Sequence, residues 1–174
     1  MLAALDRVAD VAAVASGVTV VLMTLLVAAS VATRYLFRAP LVGVDELSGY
    51  LMVVLVYFGL AYSLRTGAFI RVDNLYRLTT GRLRRALDLL VHSLALLYGI
   101  VLVVYFWQQA TQSYALHSRS IGLLQTPLYV PQGAMALGMA LFAFQALVGL
   151  LRVLAGEQGA MIVAAGDAGR VPSE

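Results

Sequence analysis

The chain has 174 residues, 61% of them hydrophobic and only 12% charged, with a mean hydropathy of +0.88. A soluble domain carries about a quarter charged residues, so this composition excludes an ordinary water-soluble fold and points to a bilayer. The absence of cysteine excludes disulfides, thiolate ligands and thiol nucleophiles, and a net charge of +3 carried by arginine alone gives no reason to expect a nucleic-acid partner.

In chain order, residues 11–33 form an uncharged run of 23, enough for a helix to cross a hydrocarbon core about 30 Å thick. The length of this run and its net-negative flank of Asp6, Arg7 and Asp10 argue against a cleaved signal peptide, although Ser30-Val31-Ala32 lies near its end. Residues 47–64, bounded by Glu46 and Arg65, predict a second helix of roughly 27 Å. Between Asp88 and Arg119 lie 30 residues without Asp, Glu, Lys or Arg, so a third helix over about 89–114 tilts or extends past the core. Pro127 and Pro131 suit the approach and first turn of a fourth, expected to begin at or just after Pro131 and to cross over about 131–151. The Gly- and Ala-rich residues 156–174 are too short to span and read as a flexible tail behind a single membrane domain, 1–155.

Arginine placement predicts the orientation. Arg7, the loop carrying Arg65, Arg71, Arg77, Arg82, Arg84 and Arg85, and the C-terminal Arg152 and Arg170 fall on one side; only Arg34, Arg38 and Arg119 fall on the other. The positive-inside bias then puts both termini and the tail in the cytoplasm. Within the cytoplasmic loop, Ile70, Val72, Leu75, Leu78, Leu83 and Leu87 interleave with the arginines. That pattern reads as an amphipathic segment lying against anionic lipid headgroups, with a protein docking surface as the alternative.

The expected spans hold no ionisable residue except His92. A transport or pump core normally buries such groups for a site or relay. His92 and His117 lie roughly 37 Å apart along one helix, too far to ligate one haem or metal. The hydroxyls and amides in the spans suit bonds across helices or to their own backbone, and Ala28 with Ala32 and Ala134 with Gly138 offer close approach, within this bundle or to a partner. No catalytic triad, phosphate loop, dinucleotide turn or metal motif is present, so no cofactor is expected and an accessory or scaffold role leads.

Several stretches also carry a resemblance. Arg34-Tyr35-Leu36-Phe37, Pro40-Leu41 and Asp45-Glu46-Leu47 follow the first span, and Arg65-Thr66-Gly67 and Ile70-Arg71-Val72-Asp73 follow the second. Arg84-Arg85 precede the third, and Thr126-Pro127-Leu128 the fourth. In order and spacing, over roughly residues 5–155, the chain resembles the small membrane subunit of tripartite ATP-independent periplasmic (TRAP) transporters, the DctQ-like family. It departs from the pattern at Gly43 and Phe69, where the family often has Trp and His.

The resemblance implies an all-α integral membrane protein of four transmembrane helices in a bacterial or archaeal inner membrane, not an enzyme. It implies two protein partners: a large membrane subunit that carries the substrate and cation sites, and a periplasmic binding protein that delivers an organic acid. Uptake would be secondary, typically driven by sodium, and this chain would brace the large subunit. Arg34, Arg38, Asp45 and Glu46 are then expected to form an outer-surface cluster. They would either pair with one another to pin the start of the second span, where acidic side chains favour the helix dipole, or meet a partner protein. On the inner side Arg65 and Asp73 form a candidate pair, and Arg71, Arg77, Arg82, Arg84 and Arg85 a lipid-facing basic surface. A self-assembling four-helix membrane enzyme and an anchor subunit of a respiratory complex are the alternatives.

Overall fold

A computed structural model of the chain describes residues 2–38, 41–66 and 82–155. It is helical: α1 (Leu2–Phe37), α2 (Val44–Thr66), α3 (Arg82–Ala115) and α4 (Tyr129–Leu154). Each contains a stretch long and apolar enough to cross a membrane: Asp10–Phe37, Val44–Leu64, Arg85–Ala115 and Tyr129–Leu154. Helix is what such sequences form in hydrocarbon, because it satisfies every backbone donor and acceptor within the segment. At 36 and 34 residues, α1 and α3 run to roughly 50 Å, well beyond a core of about 30 Å.

The fourth helix begins two residues earlier than expected, at Tyr129, with Pro131 in its first turn. The first four N–H groups of a helix have no intrahelical acceptor, so proline is tolerated there without losing a bond.

Across the bundle the order is α1, α2, α4, α3. The most extensive packing joins α3 to α4, α2 packs on both α1 and α4, and α1 barely reaches α4. Half of the most apolar window of α4 is buried, against 17% in α1 and 11% in α2 and α3. Met139, Phe142 and Ala146 of α4 form the core with Leu64 of α2, and Tyr57, Leu60, Leu96, Val103 and Phe106 close around them. Tyr57 and Phe106 meet edge to face, with ring centroids 5.4 Å apart.

Small residues let these helices approach. A Cβ at Gly138 would lie 2.6 Å from the Cβ of Tyr57 and 2.9 Å from its carbonyl carbon, so α2 and α4 touch almost backbone to backbone. Ser16 of α1 donates its hydroxyl to the Leu55 carbonyl of α2 at 2.9 Å. Other hydroxyls turn back on their own helix: Thr19 to Ala15, Thr24 to Val20, and Thr111 to Trp107.

Candidate functional site

Polar side chains gather at the two ends of the bundle. At one end the turn after α1 meets the loop joining α3 to α4. That loop closes on itself: the Ser120 N–H donates to the Thr126 carbonyl at 2.9 Å, the Leu128 N–H to the Ser118 carbonyl at 3.1 Å, and Arg119 bridges to Pro127.

Glu46, in the first turn of α2, reaches into this hairpin. Its Oε2 accepts the Leu124 N–H at 3.2 Å and its Oε1 accepts the Tyr50 hydroxyl at 2.7 Å, with the Ser120 and Thr126 hydroxyls beside the same carboxylate. Ser120 Oγ in turn accepts the Gly122 N–H at 3.1 Å. A side chain at Gly122 would run into the Glu46 carboxylate, so the turn leaves that position bare. One acceptor group thus fastens the start of α2 to a loop 78 residues away in sequence. Hydrogen bonds to a charged acceptor are among the stronger ones a protein makes.

The other members of the expected outer cluster stand apart from this network. Arg34, Arg38 and Asp45 are exposed and make no ion pair or hydrogen bond among the described residues. Glu46 is therefore joined to the α3–α4 loop, and the four charged residues do not close on one another. Sequence reasoning missed the loop partners; the Ser, Gly and Thr at 120, 122 and 126 suggest a turn, but nothing ties that turn to Glu46.

At the opposite end, Arg85 of α3 donates to the Leu154 carbonyl of α4 at 3.3 Å. About two turns further on, His92 is 3% exposed and its Nδ1 lies 2.8 Å from the Asp88 carbonyl oxygen. A carbonyl can only accept, so Nδ1 donates this bond. Nε2 is buried and has no hydrogen-bond partner. The ring rests on Gly149 of α4, where any side chain would collide with it. Asp73, Arg71 and Arg77 lie outside the described residues, as do the loop 67–81 and the tail 156–174. The same holds for the side chains of Arg65, Arg82 and Arg84, while Arg85 is exposed.

Among the described residues no group of three His, Asp or Glu side chains is placed to hold a metal. The arrangement instead gives two fastened ends around a core that belongs mainly to α4.

Comparison with known proteins yields one family. The model described as "Tripartite ATP-independent periplasmic transporters, DctQ component" matches residues 23–156, from the middle of α1 to just past α4. No curated protein matches the chain.

Proposed function

The chain belongs to the DctQ component family of tripartite ATP-independent periplasmic transporters, and from that premise we propose that it braces the large transport subunit of such a system in the membrane. As a member of this family it is a transporter component and a multi-pass membrane protein. In our reading it carries no substrate itself. The large subunit would move an organic acid, delivered by a periplasmic binding protein and drawn in by a sodium gradient.

The observation that carries this reading is the lopsided burial of the bundle. Half of α4's most apolar window is buried, while α1 and α3 leave long apolar faces uncovered, including Leu22, Leu25, Leu94, Leu97 and Trp107. A brace needs a firm body and a broad face for its partner. The Glu46 fastening and the α4 core supply the body, and the α1 and α3 faces supply the surface.

We further propose that both termini and the Arg-rich loop face the cytoplasm in an inner membrane, with the Glu46 end outside. The loop's arginines would then meet anionic headgroups, with Arg65 and Asp73 steadying it. Pairs of this exposed kind contribute about 0 to 1 kcal/mol, so their use is in orientation.

The test is to tag the chain, extract it gently from its native membrane and identify what co-elutes at fixed stoichiometry. A much larger polytopic protein at one to one supports the brace; elution as a homo-oligomer alone overturns it. Because the chain has no cysteine, a single Ser118→Cys variant reports orientation. Labelling in intact cells by a membrane-impermeant maleimide is expected.

A further inference from the structure

An open groove of about 430 Å³ runs between α1 and α2, lined by Val20, Met23, Thr24, Val27, Ala28 and Leu55. The only polar lining group, the Thr24 hydroxyl, is already donated to the Val20 carbonyl at 2.9 Å, so it asks for no partner. On α1 these positions follow steps of three and four residues, which keep them on one face of a helix. The same steps continue through Val31 to Arg34, and Arg38 follows directly after the last residue of the helix. The groove face of α1 therefore leads, at the Glu46 end of the bundle, toward Arg34, with Arg38 just past the helix end; neither guanidinium has a partner among the described residues. Glu46 is turned into the α3–α4 loop, and the exposed Asp45 beside it pairs with neither arginine among the described residues.

We propose that this groove holds one acyl chain of an anionic phospholipid, whose phosphate headgroup is taken by Arg34 and Arg38. Dimensions agree. From Ala28 to Val20 the groove descends about 12 Å along the helix, within the roughly 15 Å depth of one leaflet's hydrocarbon. Arg34 lies about 9 Å above Ala28, at headgroup level, with the exposed Tyr35 beside it as an interfacial aromatic. Guanidinium forks match phosphate oxygens two at a time, whereas a partner helix laid in the groove would bring apolar side chains toward two unpaired cations. The site is independent of the bracing role: a lipid can bind here whether or not the large subunit is present.

The full chain, purified and stripped of lipid in detergent, is offered phosphatidylglycerol or phosphatidylcholine at equal concentration, and bound lipid is counted by native mass spectrometry. One phosphatidylglycerol is expected to bind in clear preference. Arg34→Gln or Arg38→Gln weakens it roughly fivefold each and the pair about thirtyfold, leaving phosphatidylcholine unaffected. Ala28→Trp, which fills the groove, weakens both lipids together. Equal binding of the two lipids to the unaltered chain overturns the proposal, as does a double arginine variant that keeps the preference. A photo-crosslinker on Val27→Cys distinguishes the occupants in native membranes: capture of phospholipid supports the site, and capture of a protein overturns it.

Discussion

Helices α3 and α4 form the most extensive pair in the molecule and are both apolar enough to span a membrane, yet half of α4's central window is buried and only 11% of α3's. α4 has a neighbour on each side and buries Met139 and Phe142 between them, whereas α3 packs mainly on α4, and side-chain size at the contact adds to the difference. α4 turns Ala136, Gly138, Ala143, Ala146 and Gly149 inward, whereas α3 displays Leu94, Leu97, Tyr98, Val101, Tyr105 and Trp107. In water a large apolar side chain is driven inside. In lipid it gains little by exchanging hydrocarbon for protein, and how closely helices can approach decides which one sits at the centre.

The sharpest way to break this contrast is to give α4 a large side chain where it is most closely packed. Gly138→Leu would drive a branched side chain into the backbone of Tyr57, which cannot swing away, and through Tyr57 disturb Phe106. We expect a loss of about 3 kcal/mol in unfolding by denaturing detergent, with α2 separating from α4. Next in size is Gly149→Ala, whose methyl collides with the His92 ring. A loss of about 1 to 2 kcal/mol is expected, and in a double-mutant cycle His92→Ala should recover much of it, because the ring is the obstacle. Full additivity of the two changes would show that they act on separate contacts.

How much of this was legible beforehand differs between the body and the ends. The four helices follow from uninterrupted apolar runs, and the Ala134 and Gly138 spacing marks a close approach; Gly138 meets Tyr57. Which helix is central could not be read, since hydropathy is high in all four and burial depends on partners distant in sequence. Glu46 was readable as a charged residue at the start of α2, but its donor at 124 and the hydroxyls beside it at 120 and 126 belong to another loop, and no local pattern connects them. Its effect is expected to be smaller and local. Glu46→Gln replaces a carboxylate that accepts from Tyr50 and Leu124 with a single carbonyl oxygen and an amide that itself donates. Hydrogen exchange should therefore speed up at the Leu124 amide while the helices keep their protection. Unchanged exchange there would mean that the loop holds its shape without the carboxylate.

The smallest effect sharpens the contrast from the other side. Leu97 of α3 is 61% exposed in the isolated chain. Leu97→Ala should therefore change the stability of the purified chain by no more than about 0.5 kcal/mol, despite removing more apolar volume than Gly149→Ala adds. The same variant measured in the assembled transporter asks a separate question. If α3 presents its broad face to the large subunit, truncating Leu97 leaves a void at that contact and the complex dissociates at lower detergent concentration. If lipid covers the face, acyl chains fill the gap and the complex holds. A substitution silent in the free chain but costly in the assembly would identify α3 as the bracing surface, since most of that side chain lies outside the chain's own packing.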